Sequence, residues 1–325
     1  MRGEESYSAE MKSRRVKVFA PASISNLGPG FDVLGIALHR PGDVIIAERS
    51  RESGLNFSLD SSDPLIPSSA RDNVAGYVAN LMLRELRPDF GIRMILQKNM
   101  PVGSGLGSSG ASCTASVAAV NALLRKPLPR SELIRFAVEG ERKASGSPHA
   151  DNVAPSLLGG LCLIRSYNPL DIVQLPVSPR LVWIVVHPHH TIRTEEARSV
   201  LPKMLSLSTA IQQWGNVGGL TAGLVTGDPS IIKKCIEDSV AEPAREHLIP
   251  GYRAVKEAAI RAGAVGCSIS GSGPSVFALA TSGDIARRVG GAMERAFQRA
   301  AGLLSDVYIS RVNRQGVKIV LLENR

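Results

Sequence analysis

The tightest constraint in this chain is one unbroken run of small residues: Pro101, Val102, Gly103, Ser104, Gly105, Leu106, Gly107, Ser108, Ser109, Gly110, Ala111 and Ser112. Ahead of it, Ile92, Met94 and Leu96 recur at every second position, the period of a strand. Behind it an alanine-rich run reaches Leu124 and reads as a helix. A glycine-rich loop that opens a helix leaves the first-turn N–H groups without partners, with the positive end of the helix dipole behind them. That arrangement suits phosphate.

Residues 105–110 spell G-x-G-x-x-G, the dinucleotide fingerprint, but Pro101 and Val102 separate the strand from the glycines. No acidic residue ends a second strand about twenty residues later, as that fold requires. A Walker A loop is excluded because no Lys-Ser or Lys-Thr follows the glycines. An ordinary flexible turn is the plain alternative. Serines where a lysine would stand suggest that Mg²⁺ and backbone amides carry the phosphate charge.

Composition narrows the class. The 325 residues, 44% of them hydrophobic, can bury one large core or two moderate ones. No apolar run is long enough to span a membrane. Residues 1–14 mix Glu4, Glu5 and Glu10 with basic residues, lack an apolar signal region and read as a loose tail, so a cytoplasmic location is expected. Cys113, Cys162, Cys235 and Cys267 lie far apart in apolar or small-residue settings, which fits buried thiols. The net charge of +9 is spread along the chain and aromatics are only 4%, so no stacking, basic stripe for nucleic acid is present. The sign suits anionic small molecules.

Taken in order, 15–20 reads as the first strand. Asn26 and Asp32 then sit in a Gly/Pro-punctuated loop, where they serve either a ligand or the turn itself. Two strands, 33–38 and 43–48, are expected around Pro41-Gly42, followed by a polar connection to Pro67. Asp72 reads as the N-cap of a helix beginning near Val74. Lys98 either offsets ligand charge or is a plain strand-end lysine. The helix at 108–124 is small on every side, which predicts burial. Ser131 reads as the cap of the next helix.

Glu141, His149 and Asp151 surround a second Gly/Pro break, either converging on a ligand or pairing and capping locally. Strands at 161–165 and 172–175 follow, and a composition shift at 176–179 marks a domain boundary. The apolar run at 181–186 reads as a buried strand. His187, His189 and His190 could bind zinc, but no carboxylate stands at matching spacing. Thr194 and Arg198, four apart at a helix start, share a face. The last part reads helix (252–261), strand, Gly271-Ser272-Gly273-Pro274 turn, strand (276–280), helix (284–300), strand (306–312), a ferredoxin-like order.

The stretch at 101–109 resembles the central motif of the GHMP kinases, with Gly110 where alanine is usual. Within that superfamily the chain is most similar to the homoserine kinases. The run from Asn26 to Asp32, Asn-Leu-Gly-Pro-Gly-Phe-Asp, resembles their opening motif. Glu141, Gly146 and His149-Ala-Asp-Asn-Val-Ala-Pro155 resemble a second motif, and the glycine turn at 266–274 a third. The resemblance spans nearly all of the chain from Arg15.

It implies an α+β fold of two domains: an N-terminal domain at 15–178 like ribosomal protein S5 domain 2, and a ferredoxin-like C-terminal domain at 179–325. The nucleotide would lie in the cleft between them. The implied reaction is transfer of the γ-phosphoryl of ATP to the hydroxyl of L-homoserine. Residues 101–111 and Lys98 would bind ATP, with Asn73 near the adenine. Ser109 and Glu141 would hold Mg²⁺, and Arg198 and Arg245 the substrate carboxylate. Asn26, Asp32 and Asp151 would contact the amine and hydroxyl, with His149, Thr194 and Gly271 completing the pocket. Asp32, Glu141 and Asp151 are the expected catalytic carboxylates; Asp32 or Asp151 acts as base or only orients the substrate. The partners implied are small molecules, with a homodimer allowed. Two rivals stay open: a GHMP kinase acting on mevalonate or a sugar, and a nucleotide-binding module without turnover.

Overall fold

Val16, Val18, Ala20, Ala22 and Ile24 occupy every second position and are all fully buried, as expected of a strand with one face in a core. They form β1 (Arg14–Ser25), the first element of a computed structural model that describes residues 14–324. The expected tail, apart from Arg14, lies outside those residues. The first unit continues with β2 (Leu34–Ser50), β3 (Leu55–Asp60), α1 (Val74–Leu86), β4 (Gly91–Gln97), α2 (Ser108–Leu123), α3 (Arg130–Ser145), α4 (Val153–Leu158), β5 (Leu161–Tyr167) and β6 (Leu170–Leu175). Then come β7 (Val182–Pro188), α5 (Thr194–Ser199), α6 (Leu207–Thr226), α7 (Pro229–Cys235), α8 (Ala241–Arg245) and α9 (Tyr252–Arg261). The chain ends with β8 (Gly266–Ile269), β9 (Val276–Ala280), α10 (Gly283–Ala301), β10 (Ser305–Ser310) and β11 (Lys318–Asn324).

The first sheet runs β11-β1-β2-β4-β3, with β5 on the other half of β2 and β6 beside β5. Two strands were expected around Pro41-Gly42; the structure has the single 17-residue β2. Gly42 pairs with Pro21 of β1, and the register shifts between Pro21 and Ser23. Pro21 and Pro41 donate no N–H, so the ladder can break there without stranding a donor. The supposed polar connection holds β3, which pairs parallel with β4. Its Leu55, Phe57 and Leu59 alternate against Asn56, Ser58 and Asp60, the period-two signal of an edge strand.

Helix α2 has 14 of its 16 residues buried and packs on β1, β2, α1, α3 and α4. Its small side chains permit this: a Cβ on Gly140 of α3 would stand 2.3 Å from Cys113 Sγ. Overpacking there costs about 1–3 kcal/mol. Two expected caps move by one or two residues. Asn73, not Asp72, caps α1, its side chain accepting from Ala75 N at 3.0 Å. Asp72 instead accepts from the Ser69 hydroxyl. At α3 the cap position is Pro129, and Ser131 lies inside the helix.

The second sheet runs β10-β7-β9-β8, all antiparallel. In chain order this is fourth-first-third-second, the ferredoxin-like arrangement. Alternation along β7 divides its burial: Val182, Ile184 and Val186 enter the core under α9 and α10, whereas Trp183 and Val185 join the core shared with the first unit. Both faces are covered, hence the continuous apolar run. At its end the chain returns to the first sheet, where β11 pairs with β1; the sequence reading counted all of 179–325 with the second unit.

Candidate active site

The glycine loop joins β4 to α2. Gly107 is the N-cap residue of α2, at φ 67° and with no side-chain cap. A Cβ there would meet Ser23 Oγ at 2.2 Å, so both conformation and space call for glycine. Four successive loop carbonyls are held by protein donors. Ile192 N donates to Gly103 O, Ser275 N to Ser104 O, the Ser270 hydroxyl to Gly105 O and Ser23 N to Leu106 O, at 3.3, 3.2, 2.6 and 3.1 Å. With these acceptors occupied, the first-turn N–H groups of α2 remain for an anion.

Beside the loop, Lys98 is almost fully buried and its ammonium is committed. It pairs with Asp43 and donates to Ser108 O and Ser112 Oγ, both at 2.9 Å. Asp43 also accepts from Ser112 Oγ (2.6 Å) and from Asn99 N and Met100 N. Lys98 therefore fastens the first turn of α2 to the sheet. Asp43 was not singled out in the sequence, where it reads only as the first residue of the strand after Pro41-Gly42.

A cavity of about 720 Å³ runs from this loop to the seam between the two sheets. Val102, Gly103, Ser104, Gly105, Gly107, Ser108, Ser109, Asn73 and Lys98 line it, as do Glu141, Asn26, Asp32, His149, Asp151, Thr194, Arg198, Arg245 and Gly271. Of the expected ligand residues, Pro101, Leu106, Gly110 and Ala111 do not line it; Leu106 and Ala111 are fully buried beneath. Asn73 also donates to Pro67 O at 2.8 Å, tying down the loop that carries Leu65 and Ile66 into the cavity wall.

At the far end, Asn26, Leu27 and Asp32 adopt φ of 70°, 49° and 58°. Such values are costly outside glycine and persist only when the surroundings hold them. Here Asn26 Nδ2 donates to Gly271 O (2.8 Å), Asp32 N to Asn26 Oδ1 (3.1 Å) and the Tyr167 hydroxyl to Asp32 O (2.7 Å). Arg198 Nη2 donates to both Asp32 oxygens (2.8 and 3.0 Å) and to His149 Nδ1 (3.3 Å). Arg245, only 3% exposed, donates from Nε to Ala197 O (2.8 Å) and from Nη1 to Gly271 O (3.0 Å). Both guanidinium carbons stand over the Phe31 ring, at 5.2 Å for Arg198 and 5.1 Å for Arg245. Phe31 lies inside the Asn26–Asp32 run but had no role assigned to it, and Tyr167 carried no signal beyond a turn.

Electrostatics mark the same place. Burial pushes the Glu141 carboxyl up to about 7 against the Ser109 hydrogen bond and the Lys98 charge. Burial, then the charges of Asp32 and Glu141, push Asp151 up to about 7 as well. Burial lowers His149, with Arg198 and Arg245 adding to it and Asp32 opposing. Burial, then Arg198, brings Arg245 down to about 10. Glu141 Oε1, His149 Nε2 and Arg198 Nε are buried without any hydrogen-bond partner. Orphaned polar atoms gathered in one cavity mark the missing contacts of a ligand.

No group of three His, Cys, Asp or Glu side chains forms a metal cage among the described residues. Magnesium held on phosphates needs only one or two protein oxygens, and the orphaned Glu141 Oε1 beside Ser109 fits that role. The histidines after β7 go elsewhere. His187 Nδ1 bonds the Ser275 hydroxyl at 3.1 Å, and His189 Nε2 meets Asp306 at 3.2 Å.

Comparison with known proteins agrees with this geometry. The GHMP kinases N terminal domain matches residues 73–160, and the GHMP kinases C terminal domain matches 220–299. Homoserine kinase of Chlorobium phaeobacteroides is 46% identical over 319 residues, covering 94% of this chain and 100% of that protein. Homoserine kinase of Chlorobaculum tepidum is also 46% identical, covering 94% and 98%. The crystal structure of homoserine kinase from Cytophaga hutchinsonii superposes with a TM-score of 0.91 at 48% identity, covering 97% of this chain and 99% of that one. On sequence, fold and site together, the chain belongs to the homoserine kinases of the GHMP kinase superfamily.

Proposed function

We propose that this chain transfers the γ-phosphoryl group of ATP to the side-chain hydroxyl of L-homoserine, forming O-phospho-L-homoserine for threonine synthesis in the cytoplasm. Arg245 carries the reading. It is a buried cation that makes no ion pair among the described residues, and it shares a cavity with a main-chain anion site. A buried charge needs a partner. The carboxylate of an amino-acid substrate supplies one, whereas a neutral sugar does not.

Phosphoryl transfer asks for positioning and charge neutralisation rather than covalent help. The glycine loop and the start of α2 receive the phosphates, and Asn73 braces the wall on the adenine side. Magnesium, when bound, neutralises charge on the phosphate oxygens, and Ser109 and Glu141 are the residues that would hold it. Arg198 and Arg245 hold the carboxylate. Asp32, with both oxygens engaged by Arg198, orients the amine end together with Asn26. Asp151, His149 and Thr194 close around the hydroxyl arm.

The test is ADP release from ATP and magnesium across a panel of acceptors. L-homoserine should support turnover, and mevalonate and galactose should not. Equal rates with a sugar, or no turnover with any hydroxyl compound, would overturn the assignment.

A further inference from the structure

Two guanidinium groups converge where Arg198 and Arg245 meet, and among the described residues only one carboxylate, that of Asp32, is paired with either. Their mutual repulsion is visible in Arg245, whose proton is held less firmly because of burial and then because of Arg198. Besides Asp32 and His149 on Arg198 and two main-chain carbonyls on Arg245, the two cations share an aromatic face. Phe31 stands between the strained residues of its loop, and both guanidinium carbons lie 5.1–5.2 Å from its ring centroid, inside the range of cation–π attraction.

We infer that Phe31 is a positioning residue for the amino-acid site, its ring face helping to hold Arg198 and Arg245 without taking up their remaining N–H donors, which are left for a carboxylate. The physical point is orthogonality. A guanidinium bonds anions through N–H groups in its plane and meets a π system through its face. A second protein carboxylate would neutralise Arg245 equally well, yet it would occupy the donors that the substrate needs. A ring offers negative potential without competing for them. Nε and Nη1 of Arg245 are already fixed by Ala197 O and Gly271 O, so the ring and these two carbonyls together set the direction of the remaining Nη2 edge.

This inference rests on the reading that the arginines bind the substrate carboxylate. The experiment separates the two. In the wild-type protein, the methyl ester of L-homoserine is compared with free L-homoserine; equal KM values would remove the carboxylate reading whatever Phe31 does. Provided the free acid is preferred, Phe31→Leu, which keeps apolar volume but loses the ring, should raise KM for L-homoserine by about five- to thirty-fold. Its KM for ATP should stay within about twofold, since the two cations over the ring are Arg198 and Arg245 and neither belongs to the glycine loop. Phe31→Tyr should restore most of the loss. Should the leucine variant fold poorly, progressively fluorinated phenylalanine at this position preserves shape while draining the ring face. KM for L-homoserine should then climb with each fluorine. A flat fluorination series, or a leucine variant with wild-type KM, overturns the positioning role and leaves the carboxylate reading standing.

Discussion

On the proposed reading, the two ends of the cavity solve the same problem, holding an anion, by different means. At the phosphate end the donors are main-chain N–H groups at the start of α2, with the adjacent carbonyls engaged by Ile192, Ser275, Ser270 and Ser23. The ammonium nearest the loop is not free, because Lys98 is committed to Asp43, Ser108 and Ser112. At the amino-acid end the polar groups are side chains brought from separate segments: Asn26 and the acceptor Asp32 from the first unit, and the donors Arg198 and Arg245 from the second. A helix start offers fixed partial charges at no desolvation cost beyond folding itself. Paired guanidinium groups offer full charge and forked geometry, but they must be buried against one another, which brings Arg245 down to about 10. The phosphate end is therefore a property of one loop and its anchors, whereas the amino-acid end is a property of the seam.

The largest effect that would sharpen this contrast belongs to the boundary between the ends. Glu141→Gln should lower kcat by about a hundred-fold or more, the scale for removing a charge that acts on the transferring group. The sign for stability is opposite. Glu141 and Asp151 ordinarily titrate at 4.5 and 3.8 and are both held near 7. Between those limits these two carboxyls bind more protons in the folded protein than in the unfolded chain, so their contribution to the stability of the ligand-free protein falls as pH rises through about 7, partly offset by His149 and His187, which burial lowers. Thermal melts at about pH 6 and about pH 8 should show the lower Tm at the higher pH, and Glu141→Gln should flatten that slope. A variant that melts much earlier at the higher pH would make Glu141 a structural residue.

Next in size is Arg245→Leu. Losing a desolvated charged hydrogen bond is worth about 1.5–3 kcal/mol, so KM for L-homoserine should rise roughly ten- to a hundred-fold, with little change for ATP. If ATP binding collapsed instead, the two ends would not be separate sites. Gly107→Ala tests the other end. The added Cβ meets Ser23 Oγ at 2.2 Å and Asn152 Oδ1 at 2.7 Å, where Ser23 donates to Asn152 at 2.8 Å. ATP affinity should fall by about tenfold or more, from a left-handed residue and a shifted anchor at about 1–2 kcal/mol or above. Because those anchors belong to the fold, Tm should drop too, and a wild-type ATP titration would remove the loop from the phosphate site. Smallest is Asn73→Ala, which loses a helix cap and the tie to Pro67. It should cost about 1 kcal/mol of stability and weaken ATP modestly while leaving L-homoserine unaffected. Equal changes for both substrates would break the division.

Local chemistry explains which parts were legible beforehand. The glycine loop, the small-faced α2 and the ferredoxin-like order of the last strands each express a short-range rule. So does the period-two run of β3, though it was passed over among polar neighbours. At α1, Asp72 and Asn73 are adjacent and both can cap, and only the packed helix start decides which side chain reaches Ala75 N; at α3 the helix begins at Arg130, which puts Ser131 inside it. β2 was divided at Pro41-Gly42 because turn residues also serve a strand that meets a second proline across the ladder.

From residue order alone, a glycine loop opening a helix, two α+β units and a set of charged residues near glycine turns were determined, because period, propensity and loop chemistry act over a few residues. The tertiary structure decided what those charges face. It turned Lys98 inward onto Asp43, separated 43 and 98 in sequence notwithstanding, and returned β11 to the first sheet. It also set Arg198 and Arg245 over Phe31. Such pairings join residues tens to hundreds of positions apart, and no local rule carries them: burial fixes which charge loses its water, and only a partner brought by the fold can replace it.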